Sequence, residues 1–355
     1  MDEFARRRLH LLRKMEEEKI DHFLISGAVN RYYLSGFELN DPQCNESSGF
    51  LLLSRDGEMR LFTDPRYELA AISAVGRENF TLYRQNKFEI LSEYLKKKKI
   101  DNLFFEPVHL SFDSYSKLEK QGIELLPADR LFVEKQRMIK EDREIKALEE
   151  SCALNHEVFS RIQEFLRPGI SEKELAWEAE KLFRSLGAED LSFSTIAAFG
   201  PNAAMAHAIP GERLLKDRDL VLVDMGGRLH DYCSDQTRSF WVGKESSRFL
   251  EVKEMVTEAQ ERAISEIRPG LEFKEAYYTA RNYFQELGVD SYFTHALGHG
   301  IGLETHEPPS LAPTAEGCFR ENMVVTVEPG LYYPKWGGVR WEYMIHVQKD
   351  GARVL

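Results

Sequence analysis

The chain lacks the features that mark several large protein classes. It has only four cysteines in 355 residues (Cys44, Cys152, Cys233 and Cys318), with no C-x-x-C pair, so neither a disulfide framework nor a cysteine zinc site is predicted. No apolar run is long enough to span a membrane. The charged segment 1–20 has no signal-peptide core. We therefore expect a cytoplasmic protein with reduced thiols and no membrane association.

Positively charged residues are outnumbered by negatively charged ones. The chain has 47 Lys and Arg residues against 59 Asp and Glu residues, a net charge of −12. Binding to a nucleic-acid backbone needs clustered cations, so no nucleic-acid partner is predicted. The run Lys96–Lys99 is interpreted as the solvated end of a helix. The length predicts about two domains.

The amino-terminal third alternates apolar strand-like segments with helix-like ones, a pattern typical of an α/β domain. The strand-like segments are 22–27, 49–54, 59–64 and 100–107, and a helix is predicted over 88–99. Between Phe132 and Glu144 the pattern changes to apolar positions at helical spacing among charges. We place the domain boundary there, giving domains 1–131 and 132–355.

The second domain contains an internal repeat. Residues 167–188 align without gaps with residues 268–289 at an offset of 101, with nine identities in 22 positions. Each copy predicts a helix that follows a Pro-Gly turn and stops at Leu-Gly. A strand-like run ending in an acid follows each helix, with Asp224 in the first copy and Glu328 in the second. The domain is therefore predicted to consist of two related halves.

Each half offers a second acid on a neighbouring strand. Asp235 follows Asp224 by eleven residues, and Glu342 follows Glu328 by fourteen. A single acid at a strand end is more often a turn or salt-bridge residue. Four carboxylates brought together would repel one another and take up protons unless cations neutralised them, and two divalent ions would do so. With one imidazole added, such a set favours Mn²⁺, Co²⁺ or Fe²⁺ over structural Zn²⁺.

The stretch 295–309, HALGHGIGLETHEPP, is the candidate source of that imidazole. Its histidines are His295, His299 and His306. The intervening glycines disfavour a helix, and the stretch lacks both the zinc-protease H-E-x-x-H pattern and the Lys-Ser/Thr of a phosphate loop. Six other histidines have no such surroundings in sequence and are interpreted as structural or surface residues: His10, His22, His109, His156, His230 and His346.

At this point the residues resemble a known family. VDMGGRLHDYCSDQTRSF, HALGHGIGLETHEPP, TVEPGLYYP and GGVRWE are similar, in order and spacing, to the motifs of the pita-bread metallopeptidases, which include aminopeptidase P, prolidase and methionine aminopeptidase. NRYYLSGF and LFTDPRYELAA resemble the creatinase-type amino-terminal domain of the first two. The resemblance implies an α+β protein with a creatinase-like α/β domain before a pita-bread catalytic domain that carries a pseudo-two-fold repeat.

Carried over to this chain, the resemblance implies a role for each matching residue. Two metal ions would be held by a set of five ligands: Asp224, Asp235, His299, Glu328 and Glu342. Glu328 would also be the general base, His207 would contact the reacting peptide, and His306 would support the tetrahedral intermediate. His295 and Arg340 would lie on the substrate side and near the metals, respectively. Around Glu342 the chain departs from the family pattern, with Trp341 and Tyr343 as neighbours.

The resemblance implies a homodimeric hydrolase that uses metal-activated water to cleave the Xaa-Pro bond at the amino terminus of short peptides. Mn²⁺ is the first choice of metal, with Co²⁺, Zn²⁺ or Fe²⁺ as alternatives. The preferred activity is of the aminopeptidase P type. The alternatives are a prolidase restricted to Xaa-Pro dipeptides, a metal-free creatinase-type C–N hydrolase and a non-catalytic peptide-binding module.

Overall fold

The computed structural model describes residues 2–41, 46–244 and 246–355, so Cys44 lies outside the described residues. The chain divides into two compact units, Met1–Gln136 and Arg137–Leu355. The change between them falls within a short helix, Glu134–Arg137, whereas the sequence pattern places it between residues 131 and 132.

The amino-terminal unit is an α/β structure. Its strands are β1 (His22–Ile25), β2 (Gly49–Ser54), β3 (Met59–Thr63), β4 (Phe80–Leu82), β5 (Asn102–Phe105) and β6 (Glu124–Pro127). Its helices are α1 (Glu3–Glu17), α2 (Ala28–Ser35), α3 (Glu68–Val75), α4 (Lys87–Lys98), α5 (Phe112–Glu119) and α6 (Glu134–Arg137), with 3₁₀ turns at Pro65–Tyr67 and Arg77–Asn79.

These strands form one mixed sheet of six, in the order β4-β3-β2-β1-β5-β6. β1, β2 and β3 pair antiparallel, whereas the β3–β4, β1–β5 and β5–β6 pairs are parallel. β2 is a continuous run of buried residues, as expected for a strand covered on both faces. The helix predicted over 88–99 is α4, and its last turn carries Lys96–Lys98.

A buried polar cluster ties together several elements of this unit, and we call it the amino-terminal cluster. Glu106 Oε2 accepts hydrogen bonds from the backbone N–H groups of Ser26 and Gly27 at 2.6 and 2.7 Å. Asn30 Nδ2 lies 2.7 Å from Glu106 Oε1 and 2.7 Å from Glu134 Oε1. His109 Nε2 is also 2.7 Å from Glu134 Oε1. His109 therefore has charged surroundings that its sequence neighbours do not reveal.

The second unit contains the internal repeat. Its helices are α7 (Asp142–Ile162), α8 (Glu172–Ser185), α9 (Ser247–Glu266) and α10 (Phe273–Glu286), with 3₁₀ turns at Gln163–Phe165, Gly200–Ala204 and Asp290–Tyr292. The strands of its first half are β7 (Asp190–Leu191), β8 (Ile196–Phe199), β9 (Leu220–Met225), β10 (Gly227–Leu229), β11 (Tyr232–Cys233) and β12 (Gln236–Trp241). Those of its second half are β13 (His299–Gly300), β14 (Glu307–Ser310), β15 (Val324–Val327), β16 (Gly330–Tyr333), β17 (Gly337–Arg340), β18 (Tyr343–Gln348) and β19 (Gly351–Val354).

The two halves use the same strand arrangement. The first half has the antiparallel order β12-β9-β8, and the second has β14-β13-β15-β18-β19, so β9 and β15 each lie between two neighbours. Two smaller sheets, β11-β10-β7 and β16-β17, complete the unit. Apolar residues of β9 and β15 are fully buried, because helices pack against these sheets.

The repeat seen in the sequence is also a repeat of backbone hydrogen bonds. Before α8, Gly169 donates to the carbonyl of Leu215, and before α10, Gly270 donates to that of Phe319, both at 2.9 Å. The carbonyls of Ile170 and Leu271, 101 positions apart, accept in return from the same two residues. Each helix thus begins in the same small frame against a short extended segment.

Two expectations about composition can be compared with this fold. Among the described residues, no helix combines the length and the hydropathy needed to cross a bilayer. Cys152, Cys233 and Cys318 are free thiols, and the first two are buried.

Candidate metal centre

The pairing of strands brings the acids of each half together. Asp224 in β9 lies opposite Thr237 in β12, and Asp235 directly precedes β12. In the second half, Val327 at the end of β15 lies opposite Tyr343 at the start of β18. Glu328 follows the first of these residues and Glu342 precedes the second, so both carboxylates lie at the same end of the strand pair.

Five residues that the sequence analysis names as metal ligands form one connected group. Among the described residues, four triads have potential ligand atoms within 4.8 Å of one another, and three of them belong to this group: Asp224–Asp235–Glu342, His299–Glu328–Glu342 and Asp235–His299–His306. His299 Nε2 lies 3.4 Å from Glu328 Oε1 and 3.6 Å from Asp235 Oδ2. The structure thus places the predicted ligands together, with His306 at the edge of the group.

Two buried oxygens in this group have no hydrogen-bond partner among the described residues. They are Asp224 Oδ1 and Glu342 Oε1. A buried carboxylate oxygen without a donor is costly, because desolvation is not compensated. Carboxylate oxygens and one imidazole nitrogen are suitable donors for divalent ions such as Mn²⁺, Co²⁺ or Fe²⁺. These residues therefore fit a dinuclear metal site on the evidence of their own unmet bonding capacity.

The protonation behaviour of the group gives the same indication. Burial, together with repulsion from the neighbouring carboxylates, raises the pKa of Asp235 and of Glu342 well above their ordinary values. Burial, with a further contribution from Asp224, raises the pKa of Glu328 to about 8. Without cations, the protein would thus hold protons where ions would otherwise neutralise the charge. Burial also lowers the pKa of His299 to about 4, so its imidazole is neutral and able to donate a lone pair to a metal.

Two threonines support the carboxylates, and the sequence analysis did not identify them. Thr237 Oγ1 donates to Glu342 Oε2 at 2.8 Å, which connects the two halves. Thr326 Oγ1 lies 3.3 Å from Glu328 Oε1 and accepts from the backbone N–H of His299 at 3.1 Å. Each threonine lies two positions from a predicted ligand, so strand alternation was the available signal.

A buried arginine connects the ligands to the histidine stretch. Arg340 Nη2 donates to Asp224 Oδ2 at 2.7 Å, and Nη1 donates to the hydroxyl of Tyr332, also at 2.7 Å. The same hydroxyl lies 2.9 Å from His295 Nε2. Burial, followed by the charge of Arg340, lowers the pKa of His295 to about 4. Tyr332 belongs to the EPGLYYP motif but was not identified as a site residue from sequence.

The three histidines of the stretch 295–309 have separate surroundings. His299 lies among the carboxylates, while His306 is exposed and packs edge-on against it with ring centroids 4.3 Å apart. The stretch is not helical, as expected. Its glycines are needed because there is no space for a Cβ atom, and not because of backbone flexibility. A Cβ at Gly298 would lie 2.0 Å from the Thr326 carbonyl oxygen, and one at Gly300 would lie 2.2 Å from that of Pro308. Close strand approach, rather than an unusual φ, accounts for these glycines.

The residue after His306 anchors this stretch. Glu307 is buried, and its carboxylate binds Arg137 and, at 3.1 Å, Lys140 Nζ. Burial acts to raise the pKa of Glu307, but these two cations outweigh it and lower the pKa to about 2. The ion pairs of Glu307 therefore hold in place the backbone that carries the exposed imidazole of His306.

His207 lies in the exposed segment that follows β8. The carbonyl of its neighbour Ala206 accepts a hydrogen bond from Arg340 Nη1 at 3.1 Å. Its proximity contributes to lowering the pKa of His295 and His306, after burial in both cases. The structure thus brings His207 to the side of the carboxylate group where His295 and His306 lie.

The two aromatic residues beside Glu342 surround a buried guanidinium. Arg238 lies 5.0 Å from the Trp341 ring and 4.5 Å from the Tyr343 ring. The Nη1 group of Arg238 donates to the backbone carbonyl of Glu342. Trp341 and Tyr343, where the chain departs from the family pattern, thus pack on Arg238. This cation–π packing helps to fix the backbone of the candidate ligand Glu342.

Comparison with family models divides the chain in the same order as the fold. The model of metallopeptidase family M24 matches residues 146–349, and that of the creatinase/prolidase N-terminal domain matches residues 7–139. The first match contains the five candidate ligands, together with His207, His295, His306 and Arg340.

Similar proteins match along almost the entire chain. The Xaa-Pro dipeptidase of Pyrococcus furiosus is 33% identical over 97% of this chain and 96% of its own. The structure of an Xaa-Pro dipeptidase from Bacillus anthracis superposes with a TM-score of 0.91 at 36% identity, covering 99% of this chain and 97% of the other. That of an X-Pro aminopeptidase from Thermotoga maritima gives a TM-score of 0.88 at 29% identity, with coverages of 98% and 96%.

Proposed function

Since this chain belongs to metallopeptidase family M24 and has a creatinase/prolidase N-terminal domain, we propose that it hydrolyses the Xaa-Pro bond of short peptides with two divalent ions. The expected pita-bread catalytic domain and creatinase-like amino-terminal domain are confirmed by these matches and by the structural neighbours. The observation that carries the proposal is the group of three buried carboxylates, the partly buried Glu328 and one neutral imidazole. Two of the buried carboxylate oxygens have no hydrogen-bond partner among the described residues.

Each residue of the centre has a role in this proposal. The ions would be held by Asp224, Asp235, His299, Glu328 and Glu342, and Asp235 and Glu342 each belong to two of the triads. When bound, the ions supply polarisation of the scissile carbonyl and a lowered pKa of water. Thr237 and Arg340 hold the ligand carboxylates in place, as outer partners of metal ligands generally do.

Glu328 is the proposed general base. Its Oε1 lies within hydrogen-bond distance of Thr326, which leaves Oε2 to accept the proton of the attacking water and pass it to the leaving nitrogen. Without ions, burial is the main cause that raises the pKa of this carboxyl to about 8, and bound cations would lower it again.

The histidines are proposed to orient the peptide. The nitrogen of an Xaa-Pro bond carries no hydrogen, so recognition depends on the proline ring and on neighbouring carbonyl groups. His207 and His306 are exposed and can each donate one hydrogen bond to a carbonyl or a developing oxyanion. His295 and Arg340 are proposed to shape the substrate side of the site through Tyr332.

Two versions of this activity differ in what may follow proline. The sequence motifs favour the aminopeptidase P type, which accepts longer peptides. The Pyrococcus and Bacillus relatives named Xaa-Pro dipeptidases favour the second candidate, a prolidase that requires a free carboxylate on proline. The two versions share the metal centre and the roles given above.

A peptide panel tests the proposal. Purified protein with added Mn²⁺ is assayed for amino acid release from Ala-Pro, Ala-Pro-Ala and Ala-Ala. Cleavage of Ala-Pro alone supports the prolidase, and cleavage of Ala-Pro-Ala supports the aminopeptidase. Failure to cleave either proline peptide with Mn²⁺ or Co²⁺ would reject the proposed function.

Manganese, a homodimer and a cytoplasmic location complete the proposal. The oxygen-rich ligand set supports Mn²⁺, whereas the family resemblance supports the dimer, and the composition supports the location. Elemental analysis of protein purified without chelator tests the metal, with two equivalents expected. Light scattering on the eluted protein tests the dimer, for which a mass of twice 41.1 kDa is expected.

A further inference from the structure

Glu172, the first residue of α8, is a buried carboxylate without a cationic partner among the described residues. Its exposed fraction is 1%, and it lies outside the proposed metal centre. Burial of a carboxylate is unfavourable unless hydrogen bonds replace its hydration. The partners of Glu172 therefore show what its burial achieves.

Three neutral donors surround this carboxylate, all from one segment of the chain. Oε1 accepts from the backbone N–H of Phe199 at 2.8 Å and from Asn202 Nδ2 at 2.9 Å. Oε2 accepts from the backbone N–H of Gly211 at 3.0 Å. Phe199 ends β8 and Gly211 lies twelve positions later, so one carboxylate ties the two ends of the segment between them.

That segment carries His207. Its buried apolar side chains are small, namely Ala203 and Ala208, whereas Met205 is 54% exposed and Ile209 is 89% exposed. On its metal side the carbonyl of Ala206 is held by Arg340. Polar contacts from Glu172 at its ends and from Arg340 near its middle therefore add to the packing of the two alanines.

The internal repeat provides a comparison within the molecule. At the offset of 101, Glu172 corresponds to Phe273, which is 3% exposed and packs edge-on against Phe319. The backbone frame is the same in both copies, because Glu172 donates to the Arg213 carbonyl at 3.1 Å and Phe273 donates to that of Gly317 at 3.0 Å. The second copy forms this frame with an apolar side chain, so the frame does not require the carboxylate.

We propose that Glu172 is a positioning residue that holds the segment 200–210, and with it His207, in place beside the metal centre. The inference rests on the proposed function for the role of His207. We call the three hydrogen bonds accepted by the Glu172 carboxylate the clamp. Weakening the clamp should loosen the segment and lower turnover only through His207, with the metal ligands unaffected.

Glu172→Gln is the direct test, because it preserves shape but replaces one acceptor oxygen with a donor that faces an N–H group. Hydrogen–deuterium exchange of the full chain reports the segment without any need for activity. We expect the amides of 199–211 to exchange about tenfold faster or more, as for loss of a hydrogen bond to a charged group. Glu174→Gln is the matched control, since Glu174 lies in the same helical turn and binds only Ser171. In Glu174→Gln, the amides of 199–211 should exchange at the same rate as in the parent protein.

Kinetics distinguish positioning from a general structural effect. Glu172→Gln should lower kcat/KM about tenfold or more with an unchanged metal content, while Glu172→Gln in a His207→Ala background should cause no further loss. Unchanged exchange in Glu172→Gln, or losses that multiply in the double variant, would overturn the proposal.

If Glu172→Gln does not fold, Asn202→Ala weakens the same clamp from the loop side, and unchanged exchange there overturns the proposal equally. A parent protein that cleaves no Xaa-Pro peptide rejects the proposed function instead, while the exchange experiment still decides on the clamp.

Discussion

The metal centre and the amino-terminal cluster are both groups of buried acids with histidine, but their bonding differs. In the amino-terminal cluster, Glu106 accepts from two backbone N–H groups and from Asn30, and Glu134 accepts from Asn30 and His109. In the metal centre, Asp224 and Glu342 each keep one buried oxygen without a donor among the described residues. The amino-terminal cluster has two acids and the metal centre has four, and the two groups also differ in unmet bonding capacity.

The pKa shifts reflect this contrast. Burial raises the pKa of Asp235 and Glu342, and neighbouring carboxylates add to the increase. For Glu134, burial acts to raise the pKa, but hydrogen bonds from His109 and Asn30 outweigh it and lower the pKa below its ordinary value. Burial is the largest contribution in both groups and also raises the pKa of Glu106. The contrast lies in the next contribution, which is carboxylate repulsion in the metal centre and a hydrogen bond from His109 for Glu134.

The largest expected effect is that of Asp235→Asn on catalysis. Loss of a residue that merely supports a ligand typically lowers activity about 10–100-fold, and loss of a shared ligand should exceed the upper end of that range. We expect the fold to persist, as checked by circular dichroism alongside kcat/KM. Glu134→Gln is the matched control in the amino-terminal cluster and should leave turnover unchanged. Substantial turnover in Asp235→Asn would contradict the ligand assignment.

The second-largest expected effect is that of metal removal on stability, and this effect depends on pH. The pKa of Glu328 is about 8 in the ion-free protein against an ordinary value of 4.5, so the folded state binds a proton that the unfolded chain releases. The free energy of unfolding of chelated protein should therefore fall as pH rises from about 4.5 to about 8. Mn²⁺ at a hundred times its Kd should restore about 2.7 kcal/mol per site at pH 8, and less at pH 5 because protons compete.

Thermal unfolding at pH 5 and pH 8, with chelator and with Mn²⁺, measures this effect. The amino-terminal cluster meets the same distance criterion, but both oxygens of Glu106 already accept hydrogen bonds, so Glu106→Gln should not change the gain that Mn²⁺ produces. Equal stabilities of the chelated protein at both pH values would contradict the raised pKa of Glu328.

Thr237→Val should have a smaller effect on catalysis. It removes the hydroxyl that donates to Glu342 while keeping the volume of the side chain. Loss of such outer support should lower kcat/KM or metal affinity about 10–100-fold. Thr63→Val is the matched change in the amino-terminal unit, where the buried hydroxyl donates to the Ser48 carbonyl. Activity equal to that of Thr63→Val would indicate that Thr237 does not support the ligand.

The smallest expected effect is that of Glu106→Gln, and it concerns stability alone. The amide NH₂ group would face a donor that the carboxylate now satisfies, which should lower the free energy of unfolding by about 1–3 kcal/mol. Chemical denaturation measures this, with kcat/KM of the folded protein expected to be unchanged. A loss of bound metal in this variant would mean that the two clusters are not independent, and the contrast drawn above would fail.

The sequence predicts the clustering of the four candidate ligand carboxylates for a physical reason. Asp224 and Glu328 end runs of β-branched residues, and the spacing to Asp235 and Glu342 fits a return strand, so local pattern carries the information. The separate roles of His295, His299 and His306 came from family resemblance, since spacing alone did not separate them.

Other residues could not be identified in this way. Tyr332 and Arg340 meet because β16 pairs with β17, and Glu172 reads from sequence as an ordinary acid in the first turn of a helix. Its actual partners depend on the course of a segment some thirty residues later. His109 likewise gained its partners only through the fold.

The repeated frame before α8 and α10 bears on how such a protein could arise. Each half contributes two of the four carboxylates, and Thr237 of one half donates to Glu342 of the other. A single-copy ancestor would therefore have needed a second molecule of itself to assemble the same four acids. Two copies in one chain can differ, and Glu172 and Phe273 illustrate this: the first position holds a carboxylate that accepts hydrogen bonds from a loop, and the second holds an apolar side chain packed on Phe319.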